Sequence, residues 1–233
     1  MTTAIAHTSD DTPVLEAFHT DILLIRHGET AWNAERRLQG HLDIPLNTEG
    51  ERQATLLAAA LDSEAVDLVV SSDLMRARQT AQAVAGRKGL VLQQDPALRE
   101  RCYGGFEGLL YSEIEQRFPR EFAAWQARDV DARLPEGRNQ AETFRDFYAR
   151  ATGAILRLAA AQPGRTLALV AHGGVLECAY RLARGLPLET PRDFKVFNAS
   201  INRFRYRPAS GRLELQRWGE VEHLRPAVLD ELP

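Results

Sequence analysis

The chain has 233 residues, of which 44% are hydrophobic and 26% are charged, as in one globular domain or one domain with an insertion. The formal net charge of −3 argues against a general nucleic-acid-binding protein, and no apolar run is long enough to cross a membrane. Residues 1–20 lack the basic and apolar parts of a secretory signal, and only two cysteines occur. We therefore expect a cytoplasmic protein with reduced thiols and no membrane partner.

The first half of the chain predicts alternating strands and helices. Three short apolar runs indicate buried strands at residues 21–26, 67–71 and 90–92. Between them, one helix is expected to start from a capping box of Thr48 and Glu51. A second helix is expected from residue 73 to a stop at residues 86–89. This order predicts an α/β fold of three layers, with a mainly parallel sheet and helices on both faces.

The alternation breaks at residues 96–139, where the pattern indicates short helical pieces. One piece is expected to start from a capping box of Ser112 and Glu115, and Pro119 and the loop 134–137 interrupt the others. We interpret this region as a small helical cap inserted over the edge of the sheet. Its aromatic side chains are expected to pack together rather than to contact a substrate.

The core pattern resumes after the cap region. It predicts helices at 141–160 and 175–184, a strand at 166–171, and a hairpin of strands at 201–207 and 212–216. The hairpin would add antiparallel strands at one edge of the sheet. One domain is therefore expected over residues 21–225, between a flexible extension at 1–20 and a tail at 226–233.

Two predicted strands end on a histidine that precedes a glycine. Arg26 and His27 end the first strand, and His172 followed by Gly173 ends the later one, while Arg76 lies in the first helical turn after another strand. Carboxyl ends of parallel strands share one edge, where ligands bind and helix N-termini favour anions. Arginine bonds phosphate oxygens through a planar fork. The pattern therefore predicts a phosphate pocket for a small phosphorylated metabolite.

His27 is the natural nucleophile of such a pocket, because a neutral imidazole can attack phosphorus and form a phosphohistidine. The sequence shows neither metal-ligand spacing nor a Walker A loop, so we expect no metal and no cofactor. Acceleration of phosphomonoester hydrolysis can approach ~10²¹-fold, so arginines alone do not suffice and a general acid is needed. Glu100 is the candidate acid, and from the residues alone Glu29 and Glu107 are nearly as credible.

These motifs resemble those of the histidine phosphatase superfamily, which includes cofactor-dependent phosphoglycerate mutases and broad phosphatases. The matching blocks are Arg26-His27-Gly28-Glu29-Thr30, Ser71-Ser72-Asp73-Leu74, Leu98-Arg99-Glu100 and Val170-Ala171-His172-Gly173-Gly174, in the family's order. The resemblance covers about residues 20–225. It implies the α/β fold already predicted and chemistry without a metal.

The resemblance also implies a role for each site residue. His27 would be the phosphorylated nucleophile and Glu100 the acid and base. The remaining residues would hold the phosphate: Arg26, Arg76 and His172 as its pocket, Asn33 and Gln39 as additional contacts, and Gly173 at the start of the following helix.

The choice between mutase and phosphatase depends on a few positions. Arg101 and Tyr103 lie in a block that resembles the one through which the mutases contact phosphoglycerate. However, residues 109–111 lack the mutase lysine, Trp125 is not followed by paired arginines, and Gln39 replaces the mutase serine or threonine. Without a clamp for the substrate carboxylate, a bisphosphate is not retained, and water is the favoured acceptor.

The sequence therefore predicts a metal-independent phosphatase that hydrolyses a small phosphomonoester through a phosphohistidine. One alternative is a cofactor-dependent phosphoglycerate mutase. Another is a non-catalytic module on the same fold that binds a phosphorylated ligand or a protein. The physiological substrate cannot be read from these motifs, and the sequence leaves a homodimer open.

Overall fold

The computed structural model describes residues 18–225, and within that range six strands form one sheet in the order β3-β2-β4-β1-β5-β6. The strands are β1 Thr20–Arg26, β2 Leu68–Ser71, β3 Leu92–Gln94, β4 Thr166–Ala171, β5 Ile201–Arg207 and β6 Arg212–Glu220. Strands β1 to β4 pair in parallel, and β5 and β6 add antiparallel pairs at one edge. The predicted α/β fold with a mainly parallel sheet is confirmed. Most of the predicted extension (residues 1–17) and the tail at 226–233 lie outside the described residues.

Helices cover both faces of this sheet. They are α1 Ala31–Ala34, α2 Thr48–Ala60, α3 Met75–Lys88, α4 Tyr111–Arg117, α5 Pro119–Gln126, α6 Phe144–Ala160 and α7 Gly173–Arg184. Side chains alternate across β1, so Ile22 and Leu24 pack in one core cluster, while Leu23 and Ile25 pack in the other. Helices α6 and α7 belong to the first cluster and α2 and α3 to the second. Burial on both faces explains why β1 is a continuous apolar run.

Two predicted capping boxes are wrong. Asn47 caps α2, since its side-chain oxygen accepts the Gly50 N–H at 2.8 Å, and its amide group donates to Glu29 at 2.9 Å. This tertiary contact holds Asn47 outside the helix and places Thr48 within it. At α4, Glu113 accepts the Leu110 N–H at 2.8 Å, so the helix starts before Ser112.

Two other boundaries move for local reasons. Helix α6 begins at Phe144, after Thr143 accepts the Asp146 N–H at 3.1 Å, rather than at residue 141. Strand β3 begins at Leu92 rather than at residue 90. Helix α3 ends with Gly89 in the left-handed region at φ 66°, so the chain needs residues 89–91 to leave the helix and reach the sheet.

Residues 96–139 contain the short helical pieces that the sequence predicts, with single 3₁₀ turns at Pro96–Leu98 and Gly104–Phe106 and the helices α4 and α5. Their apolar side chains form a separate small cluster around the fully buried Phe106 and Ile114. Trp125 packs against this cluster, with its ring centroid 5.7 Å from that of Phe106. The aromatic residues therefore do pack, although Trp125 also lines a cavity described below.

Gly50, in the first turn of α2, packs directly on the loop after β1. A Cβ at Gly50 would overlap the carbonyl oxygen of Glu29, so its backbone or the loop must shift. We expect Gly50→Ala to lower the free energy of unfolding by about 1–3 kcal/mol, as other overpacking changes do. Gly86→Ala in α3 is the control, because a Cβ at Gly86 would have no neighbouring atom within 4 Å. Urea unfolding checks both variants, and an unchanged midpoint for Gly50→Ala would contradict the prediction.

Candidate active site

His27 lies at the carboxyl end of β1, where the chain leaves the sheet. Its ring is almost fully buried, and Nδ1 donates to the Gly28 carbonyl oxygen at 2.7 Å. With the proton on Nδ1, the lone pair of Nε2 is left for another partner. Burial, then the nearby Arg76 and Arg26, holds the pKa of His27 well below its usual range. The imidazole is therefore neutral at physiological pH, as a nucleophile must be.

His172 caps α7 at the end of β4, the strand that pairs with β1. Its ring centroid lies 5.2 Å from that of His27, and it is fully buried. Within the described residues, neither ring nitrogen of His172 has a hydrogen-bond partner. Burial, then the positive charge of Arg76, lowers the pKa of His172 well below its usual value. A buried polar ring without partners indicates a place for a polar ligand.

Two guanidinium groups complete the cationic side of the pocket. Arg76 is 1% exposed and donates to the carbonyl oxygens of Leu42 at 3.0 Å and Gly40 at 2.8 Å. Arg26 donates to the Val196 carbonyl oxygen at 2.7 Å. Burial lowers the pKa of Arg76 to about 10 and also lowers that of Arg26, yet both stay charged at neutral pH. The Nε atoms of both lack a partner among residues 18–225, so they are free donors for an anion.

The structure separates the three candidate acids. Glu100 lines the same cavity as His27, and its carboxylate accepts the N–H groups of Gly174 at 3.0 Å and Arg101 at 2.8 Å. Glu29 instead accepts from Asn47 at 2.9 Å. Glu107 accepts the N–H groups of His41 at 2.8 Å and Tyr103 at 3.0 Å. Neither Glu29 nor Glu107 lines the cavity, so Glu100 is the candidate that can reach a ligand there.

A cavity of about 420 Å³ joins most of the predicted site residues. Its lining includes Arg26, His27, Asn33, Gln39, Arg76, Glu100, Tyr103 and Gly173. Two predicted residues are not part of this lining: His172, whose ring lies 5.2 Å from that of His27, and Arg101, which lines a neighbouring cavity. The predicted set thus converges on one edge of the sheet.

The side-chain oxygens of Asn33 and Gln39 differ in their hydrogen-bond partners. The Asn33 side-chain oxygen accepts the Thr30 N–H at 3.1 Å and lies 3.3 Å from the Asn198 amide nitrogen. This turn role accounts for its oxygen, although Asn33 also lines the cavity. Gln39 is buried, and within the described chain its side-chain oxygen has no partner. An amide contacts a phosphate through its N–H group, and both residues line the cavity.

A second cavity of about 400 Å³ adjoins the first. The two share Tyr103, Tyr111, Gly174, Glu177 and Arg192 in their linings, and the second adds Arg101, Trp125, Arg128 and Phe144 among others. The shared residues make the two cavities one cleft, with His27, Arg26 and Arg76 at one end. Aromatic rings and guanidinium groups line the other end.

Sequence reasoning missed Glu177 and Arg192 in this cleft. Glu177 is buried, pairs with Arg128 at 2.6 Å and Arg181 at 2.9 Å, and lies 3.6 Å from Arg192. A lone carboxylate in the apolar run of α7, four residues before Arg181, was a readable sign of a buried ion pair. Arg192 lies in a loop outside the strands and helices, and no local pattern marks it.

Among residues 18–225, no group of three His, Cys, Asp or Glu side chains is arranged to hold a metal ion. Cys102 and Cys178 are both buried free thiols. Over the same part of the chain, every helix is too short or too polar to cross a membrane.

The two buried histidines make the stability of the protein depend on pH. In the unfolded chain a histidine takes up its proton near pH 6.5, whereas burial lowers the pKa of His27 and His172 in the folded state. Below about pH 6.5 the unfolded state therefore binds more protons, and each histidine costs up to about 1.4 kcal/mol of stability per pH unit. We expect the urea midpoint to decrease as the pH is lowered from about 7.5 to about 5.5. This decrease should be smaller in His172→Asn. An undiminished decrease in His172→Asn would contradict the assignment for His172.

Comparisons with known proteins agree with this geometry. The model of the histidine phosphatase superfamily (branch 1) matches residues 22–220. Phosphoglycerate mutase-like protein 4 of Arabidopsis thaliana is 38% identical over 208 residues, which cover 88% of this chain and 87% of that protein. A probable phosphoglycerate mutase, GpmB of Yersinia enterocolitica, is 36% identical over 219 residues, covering 91% and 98% of the two chains.

A solved structure supports the same assignment. Mycobacterial glucosyl-3-phosphoglycerate phosphatase superposes with a TM-score of 0.76 at 30% sequence identity, and the match covers 87% of this chain and 100% of that one. The family model spans most of the chain, and the strand-end histidines and arginines meet at one edge of the sheet. The chain therefore belongs to the histidine phosphatase superfamily.

Proposed function

We propose that this protein is a metal-independent phosphatase that hydrolyses a small phosphomonoester through a phosphohistidine on His27. The observation that carries the proposal is the state of the His27 ring. Its Nδ1 is committed to Gly28 at 2.7 Å, and its lowered pKa keeps Nε2 unprotonated. Arg26, Arg76 and Glu100 line the same cavity, so a nucleophile, two cations and a proton donor share one site.

In the first step, Nε2 of His27 attacks phosphorus and the bond from phosphorus to the ester oxygen breaks. Glu100, in its protonated form, gives its proton to the departing oxygen. Arg26 and Arg76 stabilise the phosphoryl oxygens, and the ring of His172, 5.2 Å from that of His27 and without a partner among the described residues, is available to assist them. In the second step, Glu100 takes a proton from water, and the water oxygen attacks phosphorus. The phosphorus–nitrogen bond then breaks, which releases inorganic phosphate and restores neutral His27.

The relatives support phosphoryl transfer at this site as either hydrolysis or isomerisation. The solved glucosyl-3-phosphoglycerate phosphatase favours hydrolysis, as does Gln39 in place of the hydroxyl residue of the mutases. Two curated relatives carry mutase names. A specific observation also favours the mutase: Arg101, Arg128 and Arg192 line the adjoining cavity. Phosphoglycerate mutase activity is therefore the second candidate.

Hydrolysis of an aryl phosphate in the presence of a chelator tests the proposal. We expect turnover that does not depend on added metal, and a transient label on His27 that is stable in base and labile in acid. Absence of turnover, or turnover without this label, would overturn it. Incubation with 3-phosphoglycerate and bisphosphoglycerate tests the second candidate, because isomerisation faster than hydrolysis would identify a mutase.

A further inference from the structure

Arg150, in the second turn of α6, donates hydrogen bonds from all its guanidinium nitrogens. The acceptors are backbone carbonyl groups at residues 97–100 and the Glu142 carboxylate. Nη1 donates to the carbonyl oxygens of Ala97 at 2.9 Å and Arg99 at 3.0 Å. Nη2 donates to the Glu100 carbonyl oxygen at 3.1 Å and to Glu142 at 2.7 Å, and Nε donates to Glu142 at 2.6 Å. A guanidinium has five N–H donors, and here each has an acceptor.

Glu142 extends this attachment to the other end of the segment. Its carboxylate accepts the Cys102 N–H at 2.9 Å, and its carbonyl oxygen accepts Nε of Arg101 at 3.0 Å. The Glu142 N–H donates in turn to the Cys102 carbonyl oxygen at 3.0 Å. Burial pushes the pKa of Glu142 up, but hydrogen bonds from Arg150 and the Cys102 N–H outweigh burial and hold it below its usual value. The pair is therefore ionised on both sides.

The segment that Arg150 and Glu142 hold is the one that carries Glu100. Residues 99–102 lie between two single 3₁₀ turns and belong to no strand or helix, so the backbone has no regular pattern of hydrogen bonds to fix it. The Glu100 carboxylate itself has just two backbone donors among the described residues, Gly174 and Arg101. Its direction toward the cavity therefore depends on where the segment is held. Arg150 lines neither cavity, so it acts without touching a substrate.

We propose that Arg150 is a positioning residue for Glu100, which it aims at the leaving-group oxygen by holding the carbonyl group of Glu100 itself and those of two residues just before it. This inference rests on the proposed function, in which Glu100 is the general acid. Misplacement of a catalytic group by about 1 Å can cost about 10²-fold in rate. Such a misplacement would slow only the steps that need the proton from Glu100. The loss of rate therefore depends on the basicity of the leaving group.

The experiment compares two aryl phosphates that differ in leaving-group basicity. The basic leaving oxygen of phenyl phosphate must be protonated as it departs, whereas 2,4-dinitrophenolate is a stable anion that departs without a proton. The quantity measured is kcat/KM, because it reports the steps up to transfer of the phosphoryl group to His27. The variants are Arg150→Lys, which retains the charge but has only three donors, and Arg150→Met. Arg157→Lys is the matched control, since Arg157 lies two turns further along α6 and pairs with Asp95 at 2.5 Å.

We expect both Arg150 variants to lose about 10- to 100-fold in kcat/KM for phenyl phosphate and about 3-fold or less for the dinitrophenyl ester. Arg157→Lys should change neither value. Activity on the dinitrophenyl ester also shows that each variant is folded. An equal loss on both substrates would mean that Arg150 merely supports the fold, and an unchanged rate on phenyl phosphate would mean that it does not position the acid. Either result would overturn the inference.

Glu100→Gln separates this inference from the proposed function. If Glu100→Gln loses activity selectively on phenyl phosphate and the Arg150 variants do not, Glu100 is the general acid and Arg150 does not position it. If Glu100→Gln shows no such selectivity, the general acid of the proposed function falls, and the positioning role falls with it.

Discussion

His27→Ala is expected to lower kcat/KM for aryl phosphates by about 10⁴-fold or more, as loss of the nucleophile does in other enzymes with covalent intermediates. The reason is geometric. Arg26 and Arg76 remain in the variant cavity, but within the described chain no other imidazole lines it. The acid-labile phosphoryl label should disappear together with turnover. Steady-state rates and labelling after acid or base treatment measure both effects.

Folding is not expected to explain that loss. Removing a buried ring leaves a small cavity, but it also removes a group that must stay neutral in the folded state below pH 6.5. His27→Ala should therefore be less sensitive to acid than the wild type in urea unfolding. His19→Ala serves as the control, because His19 pairs with Asp21 at the start of β1, away from the cavity. Turnover that survives in His27→Ala would rule out the phosphohistidine route.

Glu100→Gln is expected to lower kcat/KM for phenyl phosphate by about 10²- to 10⁴-fold, the usual range for a general acid. The amide keeps one acceptor oxygen for either Gly174 or Arg101, but it cannot deliver a proton. The loss should therefore shrink sharply with 2,4-dinitrophenyl phosphate, whose leaving group needs none. A plot of log kcat/KM against leaving-group pKa checks this, and we expect a steeper slope in the variant.

Glu29→Gln is the matched control for the acid assignment, because it makes the same chemical change at a rival carboxylate. Glu29 contacts Asn47 and the α2 N-terminus, so its loss would act on all substrates alike. We expect the slope of the leaving-group plot to stay as in the wild type. A steeper slope in Glu29→Gln than in Glu100→Gln would transfer the role of general acid to Glu29.

The cationic lining of the second cavity changes one argument drawn from the sequence. Trp125 lacks the paired arginines that follow it in the mutases, which suggested that a carboxylate clamp is missing. The fold brings Arg128 and Arg192 to the same cavity from a position just after α5 and from the loop after α7. Both lie near the buried Glu177, which offsets part of their charge. Positive charge thus reaches the second cavity from residues that no linear motif marks.

The wrong prediction at the start of α2 has a tertiary origin. Thr48 with Glu51 forms a valid capping pattern, but Asn47 caps α2 because Glu29, 18 residues earlier, holds its amide group. At the start of α4 the difference is local, because Glu113 rather than Glu115 accepts the Leu110 N–H, three residues away. Several nearby residues can cap a helix with similar free energies, typically about 1 kcal/mol apart. One tertiary hydrogen bond is enough to decide among them.

Local signals in the sequence predict the sheet and the edge at which the candidate site lies. Strand periodicity, short apolar runs and the strand-end residues Arg26, His27 and His172 are local signals, because a strand buried on both faces must be apolar along its length. Other features appear only in the folded chain: which carboxylate shares a cavity with His27, how Arg150 and Glu142 hold the segment around that carboxylate, and which side chains line the second cavity. These features depend on contacts between residues distant in the chain, where charge pairing and hydrogen bonding choose among many partners that the sequence leaves equivalent.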